Sequence, residues 1–157
     1  MVKNDVFKIL YGEQFEASLI IFSDVQNKEA KRHAKKTIVY FNKNDLIGAL
    51  SYIECIATSK IIFADINQAI YNARIVVDKF KKVVYKKYFQ DGRCLEYSLA
   101  IGAVLNYLGF SFDFIIGQQI NRNNKYKYHA WIEIDGVTIN GRYDYNDIYT
   151  IIYKKSF

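Results

Sequence analysis

The spacing of hydrophobic and polar positions splits the chain near its middle into a helical part and a stranded part. Residues 6–10 and 17–22 are short apolar runs that fit either a strand or a piece of helix. A polar, charged stretch covers 24–36. Over 45–58, Leu46, Ala49, Leu50, Ile53, Ile56 and Ala57 recur at helical steps, which predicts a helix. Ile62, Ile66, Ala69, Ile70, Ala73, Val76, Val77, Phe80 and Val84 extend the same spacing into a longer helix over much of 61–88. Asp91 and Gly92 interrupt it, since both favour turns.

A third helix is expected over 94–108, where Leu95, Leu99, Ala103 and Leu108 keep helical spacing and the remaining positions are apolar enough for burial all round. Gly109 stands where a left-handed cap belongs. The period then changes. Residues 111–117 are aromatic and β-branched, 121–125 form a polar loop, and 128–134 alternate. Asp135-Gly136 is a hairpin signal, with a return strand over 137–140 and a last strand over 148–153. Helices first and an antiparallel sheet afterwards predict an α+β fold.

Composition narrows the picture. With 157 residues, 51% hydrophobic and 24% charged, the chain suits one globular domain, residues 1–157. Within it, 1–90 form a mostly helical part and 91–157 a second part with the sheet. Proline, low-complexity tracts and repeats are absent from the sequence, so no linker divides it. Two cysteines do not make a disulfide framework. The N-terminus lacks the pattern of a signal peptide, and no apolar run approaches the ~20 residues of a membrane helix. A cytoplasmic protein with reduced thiols, not inserted in a membrane, is the expectation. The net charge of +6 is concentrated in Lys28, Lys31, Arg32, Lys35 and Lys36 and in Lys79, Lys81, Lys82, Lys86 and Lys87. Without a recognisable nucleic-acid module these read as solvated helix faces, and no nucleic-acid partner is expected.

Cys94 and His129 carry the candidate chemistry. Cys94 follows a turn and opens a helix, where unpaired N–H groups and the helix dipole favour a thiolate. Its own N–H is placed to stabilise an oxyanion. Cys55, among Ile53, Ile56 and Ala57, is assigned to the core. His129 lies on a strand, which holds an imidazole rigidly, and Trp131 shares its face. His33 sits in a Lys-rich stretch without such a context. A third group that orients the imidazole is expected. Asp135, six positions along the same strand, is about 20 Å away and too distant. If Ile134 and Val137 flank a two-residue turn, Trp131 faces Asn140, and Asn140 lies diagonally beside His129. A bulged turn would bring Asp144 there instead. Gln90, four residues before Cys94, is the candidate side-chain oxyanion donor. This scheme calls for no cofactor and no metal.

The segments GRCLEYSLAIGAVLNYLGF, FIIGQQ and YHAWIEIDGVTIN, within 92–140, resemble the leader peptidases of lasso-peptide biosynthesis, which belong to the transglutaminase-like cysteine protease superfamily. The resemblance implies a papain/transglutaminase-like core with catalytic Cys94 and His129. It implies a cysteine peptidase that cuts the leader from a ribosomally made precursor peptide. The expected partners are that precursor, a separate leader-recognition protein, and an ATP-dependent cyclase acting on the freed core. The chain departs from the family at Gly141, where an acidic third catalytic member usually follows the Asn of the return strand. That leaves Asn140, Asp144 or no third group. It also keeps open a non-catalytic peptide-binding role and an acyl-transferring transamidase.

Overall fold

The computed structural model describes residues 18–88, 93–120, 127–141 and 145–157. Among the described residues three helices, α1 (Asp24–Cys55), α2 (Ile66–Tyr88) and α3 (Cys94–Tyr107), precede four strands. The strands are β1 (Asp113–Gln119), β2 (Tyr128–Ile134), β3 (Val137–Thr138) and β4 (Tyr149–Ser156), with a 3-10 turn at Tyr145–Asp147 before β4. They form one antiparallel sheet in the order β3-β2-β1-β4. The fold is α+β, as the change of hydrophobic period predicts.

The sequence pattern misses the first half of α1. The polar stretch 24–36 is helical because Ser23 and Gln26 form a capping box: Ser23 Oγ accepts from the Gln26 N–H, and Gln26 Oε1 accepts from the Ser23 N–H. Only a narrow stripe, Ala30, Ala34, Thr37 and Ile38, is buried. Lys28, Lys31, Arg32, Lys35 and Lys36 are exposed. At Asp45 the backbone leaves the helix, with φ 62° and ψ −165°, and Asp45 Oδ1 restarts it by accepting from the Ile47 N–H at 2.9 Å. Cys55 closes this helix in an exposed position, so its assignment to the core is corrected: the core face of that turn is taken by Ile53. His33 is half-buried, 2.7 Å from the Tyr52 hydroxyl and packed on Tyr107.

The third helix occupies the centre of the molecule. Every residue from Tyr97 to Asn106 is buried. Ala103, Val104 and Leu105 belong to a cluster that also holds Ile53 from α1, Val77 and Phe80 from α2, and Ala130, Ile132 and Ile134 from β2. The helix stops at Gly109, whose φ is +89°. Asp135 and Gly136 take φ 50° and 74°, a tight turn that keeps the expected register: Ile134 pairs with Val137 and Glu133 with Thr138. The return strand ends after those two residues. No helix among the described residues is long and apolar enough to cross a membrane.

Candidate active site

The site lies where α3 begins, beside β2. Because β3 is short, the edge of β2 has to find other hydrogen-bond partners. Ile134 is still paired with Val137. The Ile132 carbonyl accepts from the Ile139 N–H, and the Ile132 N–H donates to Asn140 Oδ1, each at 2.9 Å. At Ala130 helix α3 takes over: Ser98 Oγ donates to the Ala130 carbonyl at 2.9 Å, and the Ala130 N–H points at the Cys94 sulfur. Asn140 Nδ2 donates to Ser98 Oγ at 2.9 Å. The start of α3 is thereby fastened to β2 immediately beside His129.

Asn140 therefore does something other than what its register suggests. It lies near the position expected from the hairpin, but both ends of its amide are engaged, one by Ser98 and the other by Ile132. It braces helix against strand and does not bond the imidazole. Gln90 and Asp144 lie outside the described residues.

Cys94 is half-buried. Burial pushes its thiol above the ordinary range. The N–H groups of Ala130, Leu95 and Cys94 itself pull the other way, and Glu96 adds a smaller upward push. The helix N-terminus acts as the sequence suggests, but desolvation outweighs it. Arg93, before the helix, makes no side-chain cap, so it leaves the first-turn N–H groups for the sulfur. Burial also pushes His129 below 6.5, its ordinary value, which keeps the imidazole neutral and basic near pH 7. Burial thus favours the uncharged form of each group, the thiol at Cys94 and the neutral imidazole at His129. The Tyr149 ring stacks 5.5 Å from His129, and its phenol is raised by burial and then by charge on Cys94.

The His129 imidazole makes no hydrogen bond to another described residue and instead sits among aromatic rings. Trp131 stacks 6.1 Å away, and Tyr145 lies 4.4 Å away, tilted by 58°. Gly117, opposite His129 in β1, makes room for this: a Cβ there would fall 2.6 Å from the Trp131 ring and 2.7 Å from the Tyr149 Cβ. On the same face the buried Glu133 accepts from Trp131 Nε1 at 2.6 Å and from Asn146 Nδ2 at 2.9 Å, which holds the 3-10 turn against β2. Sequence reasoning overlooked Ser98, Glu133, Tyr145 and Tyr149. Only Ser98 left a usable signal, one helical turn after Cys94 on the same face. Among the described residues no three His, Cys, Asp or Glu side chains are grouped to hold a metal ion.

The arrangement offers a thiol at a helix N-terminus with backbone N–H donors directed at its sulfur, and a neutral imidazole on β2 one residue before Ala130. A family model described as the transglutaminase-like superfamily matches residues 69–154. The comparisons find no match among curated proteins and none among solved structures. The matched segment runs from early α2 through nearly all of β4, more than half of the chain, and the protein belongs to the transglutaminase-like superfamily.

Proposed function

We propose that the protein is a cysteine peptidase that removes the leader from a ribosomally synthesised precursor during lasso-peptide maturation in the cytoplasm. The precursor is its substrate, a separate leader-recognition protein presents it, and an ATP-dependent cyclase consumes the product. The observation that carries this reading is the Cys94 sulfur at an uncapped helix N-terminus, against the N–H of Ala130, the residue that follows His129 on β2. The resemblance within residues 92–140 supplies the substrate class.

In the reaction, Cys94 Sγ attacks the scissile carbonyl carbon while His129 takes the thiol proton. The carbonyl oxygen gains the negative charge, and the N–H groups of Cys94 and Leu95 are the available donors for it. The C–N bond breaks, and His129 returns the proton to the leaving amine, the new N-terminus of the core peptide. Water, deprotonated by His129, then attacks the thioester and releases the leader with a free carboxylate. Because both resting groups are neutral, proton transfer accompanies the attack.

The test is mass spectrometry of the neighbouring precursor incubated with this protein and the leader-recognition protein, with Cys94→Ala and His129→Ala as controls. One cut, lost in both variants, is expected. A second reading, a non-catalytic peptide-binding component, draws support from the His129 imidazole having no hydrogen-bonded partner among the described residues. It predicts that Cys94→Ala retains full function. A transamidase of the same fold would instead give products joined by an amide.

A further inference from the structure

We infer that Tyr145 is the positioning residue for His129, filling the place of a hydrogen-bonded third group, and that its ring is the reason position 141 carries no side chain. This rests on the Cys94–His129 reading above and deepens it. The first observation is packing. Tyr145, Trp131 and Tyr149 surround the imidazole, and all three also touch one another, with centroids 5.4 to 6.1 Å apart. Trp131 and Tyr149 lie nearly parallel to the imidazole, at 19° and 28°, whereas Tyr145 crosses it at 58° from the shortest distance, 4.4 Å. Parallel rings restrain tilt, and the crossing ring blocks rotation within the stack.

The second observation is exclusion. A Cβ on Gly141 would lie 2.4 Å from Tyr145 Cε2 and 2.8 Å from its hydroxyl oxygen. Both are closer than real contacts allow, so a side chain at 141 and the Tyr145 ring cannot occupy their places together. The third is anchorage. Glu133 does not bond His129, yet its carboxylate grips Asn146, the residue after Tyr145. The Tyr145 carbonyl also accepts from the Ile148 N–H at 3.0 Å. The 3-10 turn that carries Tyr145 is therefore closed by its own backbone bond and tied to β2 at its second residue.

Among the described residues, the titratable side chains packed on His129 are Tyr145 from the 3-10 turn and Tyr149 from β4, and Cys94 of α3 faces the N–H of the next residue, Ala130. Glu133, on β2 itself, is held by Trp131 and Asn146. Among the described residues none supplies a hydrogen-bonded carboxylate to the imidazole, so the rings packed on it restrain its orientation and burial keeps it neutral.

The experiment needs no substrate. In a Cys55→Ser background, which removes the exposed thiol, two quantities are read: the His129 imidazole titration by NMR, and the pH profile of Cys94 alkylation by iodoacetamide. Tyr145→Phe, which keeps the ring, is expected to stay closer to the parent in both than Tyr145→Ala does. Tyr145→Ala should move the His129 titration up towards 6.5 as water reaches the ring, and should slow alkylation at pH 7 about tenfold. Gly141→Asp should reproduce those changes by displacing the ring, and adding it to Tyr145→Ala should cost little more. A folded Tyr145→Ala protein with the parent's titration and profile would overturn the inference. So would additive losses in the double variant, or an Asp144→Asn change that alone shifts the titration. Tyr145→Leu provides the same reading if the alanine variant does not fold. The peptidase reading fails separately, if His129→Ala leaves alkylation of Cys94 unchanged.

Discussion

The two ends of α3 are built on opposite plans. At its C-terminus the polar groups are closely matched. Asn106 donates to the Ile53 carbonyl at 2.6 Å and accepts from Lys60 Nζ at 2.6 Å, and Lys60 also donates to the Phe110 carbonyl at 2.7 Å. Thr58 donates to the Tyr107 carbonyl at 2.7 Å, and the N–H groups of Leu108, Gly109 and Phe110 turn back onto Val104, Asn106 and Leu105. A lysine there also complements the negative end of the helix dipole. At the N-terminus Arg93 provides no cap, and the N–H groups converge on a half-buried thiol. One end spends its donors and acceptors on stability, and the other holds donors in reserve for chemistry.

Substitutions can break this contrast. The largest effect is expected from Cys94→Ala, which should abolish cleavage, a loss beyond ~10³-fold, while changing the free energy of unfolding by less than about 1 kcal/mol. A precursor-cleavage assay beside a urea titration reads both. Asn106→Leu should do the reverse. It strands the Ile53 carbonyl and part of the Lys60 charge, and should cost about 3 kcal/mol in the same titration, with Cys94 alkylation per folded molecule unchanged.

Asn140→Ala tests whether the brace is structural. Loss of its bonds to Ser98 and Ile132 should cost about 1–2 kcal/mol and slow alkylation, without shifting the pH at which His129 titrates. A shifted titration would instead return Asn140 to the imidazole.

Alkaline titration should separate the two ends by sign. Cys94 is raised in the fold, so the folded protein holds its proton longer than the unfolded chain does, and stability falls as pH climbs past the ordinary thiol value. Burial lowers Lys60, so the folded protein loses that proton earlier, and stability gains as pH climbs towards 10.5. Cys94→Ala should remove the first slope and Lys60→Met the second, in unfolding curves collected across that range. The smallest effect is expected from Arg93→Ser. The backbone there, at φ −102° and ψ 33°, is not the extended one a cap requires, so the gain should be at most about 0.5 kcal/mol, accompanied by slightly slower alkylation as the new hydroxyl competes for the Leu95 N–H.

Much of this was legible in the residues. Helix α3, its Gly109 terminus, the Asp135-Gly136 turn and the β2–β3 register follow from period and turn chemistry, which are local. The first half of α1 was not legible from periodicity, because its buried stripe is narrow; its capping box was the available sign. Cys55 misled because helical spacing marks a face only to within a residue or so. Asn140 misled for a different reason. Register places a Cα, but the amide turned to the partners that lacked bonds, and those lie on another element. The aromatic surround of His129 was equally hidden, since Trp131, Tyr145 and Tyr149 meet only when the tail folds back.

The shortness of β3 has a consequence for how the protein meets its neighbours. An unpaired strand edge invites another chain to add to it. Along β2 that invitation is withdrawn, because α3 and Asn140 take up the Ala130 and Ile132 peptide groups where β3 ends. The contacts that fasten the nucleophile's helix are thus also a guard against unwanted strand pairing. Weakening them should show first as self-association on storage, before any loss of fold.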